Sequence, residues 1–446
     1  MIKTLLNIDK VLNHYQWLMD SYVLDFYLDD HWCKLPTKWS ECLNKLNLFD
    51  IPWLLGFNDQ SKCVLPLTLL CLRSLSTTIR MIRSKPFNEQ IFSSPYTKHS
   101  QERHQFSENL STGLDHILTR GIKAKKRHEI QQLCKLISTV MNKFDNNLDI
   151  IDFGSGKCHL SRILGICYGF KVFCIEAKSE NLNGAIKREN KVLKALEKYK
   201  RFNVFEEEMP VKANCFLTKE NRIDELFGDK ITRPHLLLGL HACGSLSNLV
   251  LEEFATNPNS HCLVLVCCCY MNSELFRFPM SQLLKENTKF TLSISAKELA
   301  CHAIEKFLDD FSKKELDSLK VHGYRACLEV LLERYAPEKR YQSMRNVKIT
   351  TEITFKEYVA KATKGLDISI PESIFESNEI NDFINQTDQV ILFYSLRLLI
   401  APLIELYILM DYRHYLCEQN PVKNTYLIPL FSPSISPRNF ILIANK

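Results

Sequence analysis

Glycine is scarce in this sequence, with only 13 among 446 residues. Because glycine enters left-handed backbone conformations without strain, a chain with few glycines should keep them for tight turns and ligand loops. Three of them, Gly154, Gly156 and Gly244, fall in segments that read as ligand loops. Apolar residues make up 46% and charged residues 24% of the chain, which is typical of a globular protein with a sizeable core.

The 17 cysteines contain no repeated Cys-x-x-Cys pair at zinc spacing. Three of them are consecutive, Cys267 to Cys269, and neighbours on a strand point to opposite faces, so the three cannot all bind one metal. We therefore predict no metal site. Lys3, Asp9 and Lys10 interrupt any apolar segment of signal-peptide length, so we expect reduced thiols and a cytoplasmic or nuclear location.

One apolar stretch, 390–410, is long enough to span a membrane but contains Arg397 and Glu405. An arginine at the bilayer centre costs about 2.5 to 3.5 kcal/mol. We therefore predict no membrane contact and a long helix buried in a large domain. Pro402 should end or kink that helix.

The stretch 148–161 is an apolar run followed by two glycines and a helix-compatible segment. This order predicts a strand, a tight loop and a helix whose free N–H groups face the loop. His159 stands where a dinucleotide fingerprint has its third glycine, and Asp152 at the strand end would repel a phosphate. S-adenosylmethionine, which carries an ammonium group and no phosphate, fits better.

A second strand, 171–176, ends on Glu176, about 20 residues beyond the loop, where a ribose-binding carboxylate belongs. The alternative is a surface charge at the end of a strand. We predict a cofactor site for S-adenosylmethionine made of Asp152, Gly154, Ser155, Gly156 and Glu176.

Two later strands, 235–240 and 262–269, end near reactive side chains. Parallel sheets bind ligands at the carboxyl ends of their strands, so His241 and Cys243 should face the reaction cleft. Tyr270 at the next strand exit could stack on a base or on adenine. These three are the candidate catalytic residues, although His241 and the cysteines can equally be structural.

A basic cluster, Lys125, Lys126, Arg127 and His128, precedes the first strand. It can bind a phosphate-bearing substrate, act as a nuclear-localisation signal, or be a solvated helix start. We assign it to substrate binding because of its position next to the cofactor loop.

The chain divides by pattern into four parts: a helical region 1–120, a first core part 121–275, an insertion 276–388, and a last helix with a closing hairpin at 389–446. A polar loop is expected at 93–111, a third strand at 202–205, and hairpin strands at 424–431 and 439–444. A seven-stranded Rossmann-like sheet ends in such a hairpin, so the fold expected is α/β.

Several blocks resemble, in order, the methyltransferase-like protein 25 family, including the branch named for a ribosomal RNA adenine dimethylase domain. They are Leu24-Asp-Phe-Tyr-Leu-Asp29, Lys125-Lys-Arg-His-Glu129, Asp152-Phe-Gly-Ser-Gly-Lys-Cys-His-Leu-Ser161, Gly239-Leu-His-Ala-Cys-Gly244, Cys268-Cys-Tyr-Met271, Phe278-Pro-Met-Ser281, Gly323-Tyr-Arg-Ala326 and Pro429-Leu-Phe-Ser-Pro433. The resemblance implies a class I S-adenosylmethionine-dependent methyltransferase. The chain departs from it at Cys158, where the family usually has glycine, and at Ser245, where it usually has an acidic residue.

The expected function is methyl transfer with RNA as acceptor, based on a basic stretch at 334–348 and a similarity of two strand-end blocks to transfer-RNA 2′-O-methyltransferases. No Asn/Asp-Pro-Pro-Tyr tetrapeptide follows the fourth strand, which disfavours methylation of a base nitrogen. The alternatives are a scaffold or binding protein that has lost turnover, and a protein methyltransferase.

Overall fold

The computed structural model describes residues 2–58, 62–85, 114–144, 147–199, 209–220, 223–271, 275–312, 316–342, 344–345, 347 and 353–446. The loop expected at 93–111 lies outside these residues. So does the third strand expected at 202–205, and the described third strand is later, at Val211–Asn214.

A seven-stranded sheet has the order β3-β2-β1-β4-β5-β7-β6. Its strands are β1 Asp149–Phe153, β2 Val172–Glu176, β3 Val211–Asn214, β4 His235–Cys243, β5 Ser260–Cys268, β6 Asn424–Pro429 and β7 Phe440–Asn445. The first five pair in parallel, and β7 is antiparallel to both β5 and β6. The predicted α/β architecture with a terminal hairpin is confirmed.

Helices occupy most of the remaining described chain. The α-helices are Ile2–His14, Gln16–Asp20, Thr37–Leu43, Ile51–Leu54, Leu67–Arg83, Leu114–Thr119, Ala124–Asn142, His159–Tyr168, Ser179–Tyr199, Ile223–Phe227, Ser245–Thr256, Gln282–Asn287, Ile294–Leu299, Ile304–Ser312, Leu316–Tyr335, Phe355–Ala362, Asn378–Asn385 and Thr387–Cys417. The helical character predicted for the N-terminal region agrees with the first of these elements.

The central strands are apolar because both faces of the sheet are covered. All five residues of β1 and all five of β2 are buried, which is the pattern of parallel strands inside an α/β sheet. One core cluster joins alternate residues of β1, β4 and β5, such as Ile150, Leu238 and Val264, to the Ala124–Asn142 and His159–Tyr168 helices. This packing fixes where each strand ends and therefore where the strand-end side chains lie.

The chain forms two compact units. The sheet unit comprises Met1–Leu6, Ile82–Lys289 and Tyr407–Lys446, and the helical unit comprises Asn7–Met81 and Phe290–Leu406. This division differs from the four parts expected from the sequence, because residues 276–289 stay with the sheet and most of the N-terminal region joins the insertion.

A buried carboxylate explains why residues after β5 remain in the sheet unit. Asp411 accepts hydrogen bonds from the backbone N–H of Met280 at 2.7 Å and of Ser281 at 3.0 Å, and from the Ser281 hydroxyl at 2.5 Å. Burial raises the pKa of Asp411 despite these three bonds. The segment at 278–281 is therefore held to the end of the long Thr387–Cys417 helix.

The long apolar helix is the one helix among the described residues with the length and composition to cross a membrane, and 89% of its most apolar window is buried in this structure. Within the helical unit, Arg397 donates to the backbone oxygens of Leu18 and Met19 and to the Ser295 hydroxyl. A buried charge with such partners is typical of a core helix. Pro402 was expected to end or kink this helix, and the helix continues through it to Cys417, so Pro402 does not end the helix.

The closing hairpin should be essential to the sheet unit, because β7 lies between β5 and β6. A chain ending at residue 438 would lose β7 and leave the edges of both neighbours unpaired. We expect loss of the cooperative thermal transition of the sheet unit in circular dichroism. Cooperative melting together with retained cofactor binding would refute this expectation.

Single substitutions at two isoleucines give a milder test of how much β7 contributes to stability. Ile441 is fully buried in β7, whereas Ile435 in the preceding turn is 44% exposed. We expect Ile441→Ala to lower the free energy of unfolding by about 2 to 5 kcal/mol and Ile435→Ala to change it by less than about 0.5 kcal/mol.

Candidate active site

The loop after β1 has the backbone conformation that its glycines allow. Gly154 has φ of 64° and Gly156 has φ of 57°, both in the left-handed region. A Cβ at Gly154 would approach Cδ2 of Leu246 to 3.1 Å, whereas one at Gly156 would meet no atom within 4 Å. The backbone N–H groups of Gly154 and Ser155 both bond to the carbonyl of Ile175 in β2. The loop thus has a left-handed backbone that glycine adopts without strain, it packs closely at Gly154, and open space remains beside Gly156.

Glu176 lies at the end of β2, as predicted, and is 7% exposed. Its carboxylate accepts the N–H of Gly156 at 2.7 Å, the N–H of Lys178 at 2.9 Å and the side-chain amide of Asn181 at 3.2 Å. A carboxylate has about four acceptor positions. Glu176 therefore braces the glycine loop and still has capacity for a hydroxyl donor.

Asp152 is a buried carboxylate beneath the same loop. The Ser161 hydroxyl, on the His159–Tyr168 helix, donates a hydrogen bond to it. Burial raises the pKa of Asp152 to about 6, against the lowering effects of that bond and of the Lys126 charge. A carboxylate held in this way is stabilised by a cationic partner.

Cys158 occupies a position that favours glycine. Its φ is 49°, in the left-handed region, and a non-glycine residue there costs roughly 1 to 2 kcal/mol. The side chain is fully buried in the sheet core, and its thiol lies 3.5 Å from the Ser155 hydroxyl. The departure from the family pattern therefore adds backbone strain, while the cysteine side chain packs into the core.

His241 lies at a bulge in β4, where the pairing with β5 shifts between Leu240 and Ala242 and its own φ is 67°. Its Nε2 is 3.0 Å from Oε2 of Glu129, and the His241 side chain is 23% exposed while that of Glu129 is 1% exposed. The Ser436 hydroxyl donates to the other Glu129 oxygen at 2.7 Å. Burial alone would raise the pKa of Glu129, but His241, Ser436 and Lys126 together lower it.

Sequence reasoning missed Glu129 as a site residue. It is the last residue of the Lys125-Lys-Arg-His-Glu129 block, and the structure brings that block against the Gly239-Leu-His-Ala-Cys-Gly244 block. Helical spacing places Glu129 with the buried residues of its helix, and a buried acidic residue requires a partner. The need of a buried acidic residue for a partner was the one signal in the sequence that could have identified Glu129.

The four residues of the basic cluster before β1 lie in different environments. Lys126 interacts electrostatically with Glu129, Asp152 and Cys268, and burial lowers its pKa. Lys125 and Arg127 are exposed, and Lys125 Nζ lies 3.8 Å from Glu129 Oε1. His128 accepts the backbone N–H of Ser432 at 3.0 Å. Lys126 thus connects the base of the glycine loop with the His241–Glu129 pair.

Cys243 and Tyr270 have contrasting positions. Cys243 is exposed, and its thiol lies 3.2 Å from the carbonyl of His241 and 2.9 Å from the thiol of Cys268. Tyr270 is only 1% exposed and its ring packs edge-on to that of Phe276. In this conformation Tyr270 is not open to a base, so its role in substrate stacking stays a prediction without a supporting contact.

Two described arginines of the basic stretch at 334–348 form ion pairs within the helical unit. Arg334 forms two bonds with Glu379, at 2.8 and 3.0 Å. Arg340 bonds to Asp25 and to Glu333, each at 2.5 Å. These arginines are already neutralised, so they give no support to an RNA-binding surface.

The strand order and the glycine loop after β1 define a class I, Rossmann-like methyltransferase fold. Residues 125–274 match a family model described as a methyltransferase domain. This span begins within the basic cluster and ends just beyond Tyr270, and it contains every site residue predicted from the sequence.

Two relatives carry the name probable methyltransferase-like protein 25. The human protein is 23% identical over 457 aligned residues, which cover 72% of this chain and 74% of the relative. The mouse protein is 28% identical over 247 residues, which cover 52% of this chain and 40% of the relative. These matches confirm the resemblance to the methyltransferase-like protein 25 family.

The raised pKa of Asp152 predicts how affinity for S-adenosylmethionine depends on pH. The Asp152 carboxyl is ionised above a pH of about 6 and neutral below it. If it attracts the cofactor ammonium, affinity should fall by up to about tenfold for each pH unit below that value, while the ammonium stays protonated. Isothermal titration between about pH 5 and pH 7 measures this.

Asp152→Asn is the matched variant for this measurement. It keeps the shape and the capacity to accept the Ser161 bond but removes the ionisable group. We expect weak binding with little dependence on pH. An equal pH dependence in the wild type and the variant would exclude Asp152 as its origin.

Proposed function

We propose that this chain transfers a methyl group from S-adenosylmethionine to RNA, at an acceptor atom that must lose a proton. The observation that carries the proposal is the pairing of partly exposed His241 with buried Glu129 at the carboxyl end of β4, beside the strand that bears the glycine loop. A general base oriented by a buried carboxylate is an arrangement suited to proton removal.

The residues around the loop fit the proposed cofactor. Asp152 offers a buried negative charge for an ammonium, and Glu176 has acceptor capacity for ribose hydroxyls. Gly154, Ser155 and Gly156 form the loop between these two carboxylates, and a Cβ at Gly156 would meet no atom within 4 Å. When bound, the cofactor supplies a methyl group on an activated sulfonium.

His241 is the proposed general base. Because its Nε2 hydrogen bonds to Glu129, its Nδ1 carries the lone pair and can accept a proton from the acceptor. Glu129 acts through His241 as a positioning residue, since it fixes the ring orientation and stabilises the protonated ring. Methyl transfer is an in-line displacement, so positioning supplies much of the rate and the base is needed for a protonated acceptor.

RNA is the acceptor class we favour. The support is the cluster Lys125, Lys126 and Arg127, which lies next to the His241–Glu129 pair and includes two exposed cations. The similarity of the strand-end blocks to transfer-RNA 2′-O-methyltransferases adds to it. Phosphate contacts by these residues would make RNA binding fall steeply as salt increases.

A binding or scaffold protein is the second candidate. Ser245 favours it, because a serine begins the Ser245–Thr256 helix where the resemblance leads one to expect a carboxylate in the cleft. Cys158 also favours it, because its left-handed backbone adds strain at the start of the helix that follows the glycine loop.

The test uses labelled S-adenosylmethionine and cell extract, followed by RNase or protease treatment. We expect the wild type to label material that RNase destroys and protease spares. Label lost to protease but retained after RNase would instead identify a protein acceptor. Cofactor binding without any labelling would favour the scaffold candidate.

The same assay distinguishes the loss of the general base from the loss of cofactor binding. We expect His241→Ala to reduce the labelling rate at saturating cofactor by about 100-fold or more, and Glu129→Gln to reduce it by about tenfold. Both variants should keep a dissociation constant for the cofactor within about twofold of the wild type. Unchanged labelling in both variants would overturn the role of this pair.

A further inference from the structure

Three thiols converge at the carboxyl edge of the sheet. The sulfur atoms of Cys243, Cys268 and Cys269 all lie within 4.8 Å of one another, and those of Cys243 and Cys268 are 2.9 Å apart. We call this set the thiol cluster. It contains one exposed, one buried and one half-buried residue, so a small ion can reach it from solvent.

The backbone explains why the three sulfurs meet. Cys243 and Cys268 are the last residues of β4 and β5 and are directly opposite in the register. Cys269 follows the end of β5 and has φ of 37°, outside the strand conformation. Its carbonyl accepts the N–H of Gly244 at 3.1 Å, which holds the turn.

Because of this turn, the strand-alternation argument against a shared metal ion does not apply to Cys243, Cys268 and Cys269. Strand alternation forbids three consecutive cysteines from sharing one ion, and Cys267 indeed lies outside the thiol cluster. Cys243 from the neighbouring strand takes its place, and Cys269 has left the strand. The pattern of consecutive residues could not anticipate a ligand contributed from β4.

The separations suit a zinc ion. With Zn–S bonds of about 2.3 Å, sulfurs around a tetrahedral zinc lie about 3.8 Å apart. The Cys243–Cys268 separation of 2.9 Å is about 1 Å shorter than this, and no two sulfurs of the thiol cluster are more than 4.8 Å apart. Thiolate sulfur is a preferred ligand of zinc, whereas Mg²⁺ and Ca²⁺ prefer oxygen. Movements of about 1 Å by three side chains would complete the geometry.

The surrounding charges also suit three thiolates. Lys126 interacts electrostatically with Cys268, and Arg438 does so with Cys269. Three thiolates and one Zn²⁺ leave one negative charge, which these cations offset. Nearby cations favour the ionised thiols that a metal requires.

We propose that Cys243, Cys268 and Cys269 bind one Zn²⁺ ion at the carboxyl edge of β4 and β5. Three protein ligands leave the fourth tetrahedral position open to water or a substrate atom. Because Cys243 is two residues from His241, the ion would also fix the backbone that carries the proposed base. The zinc site does not depend on the proposed methyl transfer.

The test measures metal in the full-length chain, purified without a metal-binding tag under reducing conditions and incubated with zinc sulfate. After dialysis, we expect about one equivalent of zinc by elemental mass spectrometry. Replacement by Co²⁺ should give a thiolate charge-transfer band and the visible bands of tetrahedral cobalt. No tightly held zinc in the wild type would overturn the proposal.

The variants are Cys243→Ser and Cys269→Ser, with Cys215→Ser as the control. Cys215 follows β3 at the same edge of the sheet but is not in the thiol cluster. We expect each cluster variant to weaken zinc binding at least tenfold and the control to bind like the wild type, all three with native circular dichroism. Full zinc retention by both cluster variants would overturn the assignment, as would a Cys243–Cys268 disulfide in place of metal.

Discussion

The parallel pairing of β1 with β4 is the constraint on which the candidate site depends. The register from Asp149 opposite His235 to Asp152 opposite Leu238 brings both carboxyl ends to one edge of the sheet. The glycine loop follows one of these strands, and the His241 bulge lies near the end of the other. A change in this register would separate the proposed cofactor loop from the proposed base.

The strands, and the strand-end positions of the residues proposed to bind the cofactor, could be predicted because their signals are local. A buried apolar run followed by glycines specifies β1 and its loop, and Glu176 follows at the expected spacing. Glu129 and the thiol cluster could not be predicted in this way, because each pairs residues that are far apart in the chain. The division into units likewise depends on contacts between residues far apart in the chain, since the Asp411 contact joins the long helix to residues after β5.

Strain and buried charge are concentrated at the same edge. Cys158, His241 and Cys269 all have positive φ without being glycine. Such conformations cost about 1 to 3 kcal/mol each and tend to occur at functional sites. The neighbouring carboxylates of Asp152 and Glu129 are both buried and hydrogen-bonded. The strained backbone and the buried carboxylates lower the stability of this edge, and they hold its charged groups in fixed positions.

Glu176 offers the sharpest test of whether the edge around Gly154 and Gly156 binds S-adenosylmethionine, as we propose. Isothermal titration would compare the wild type with Glu176→Ala and with Glu180→Ala, a control at an exposed acidic residue four positions later. We expect binding by the wild type and the control, and at least a tenfold loss of affinity in Glu176→Ala. No binding by the wild type, or equal affinity in all three proteins, would contradict it.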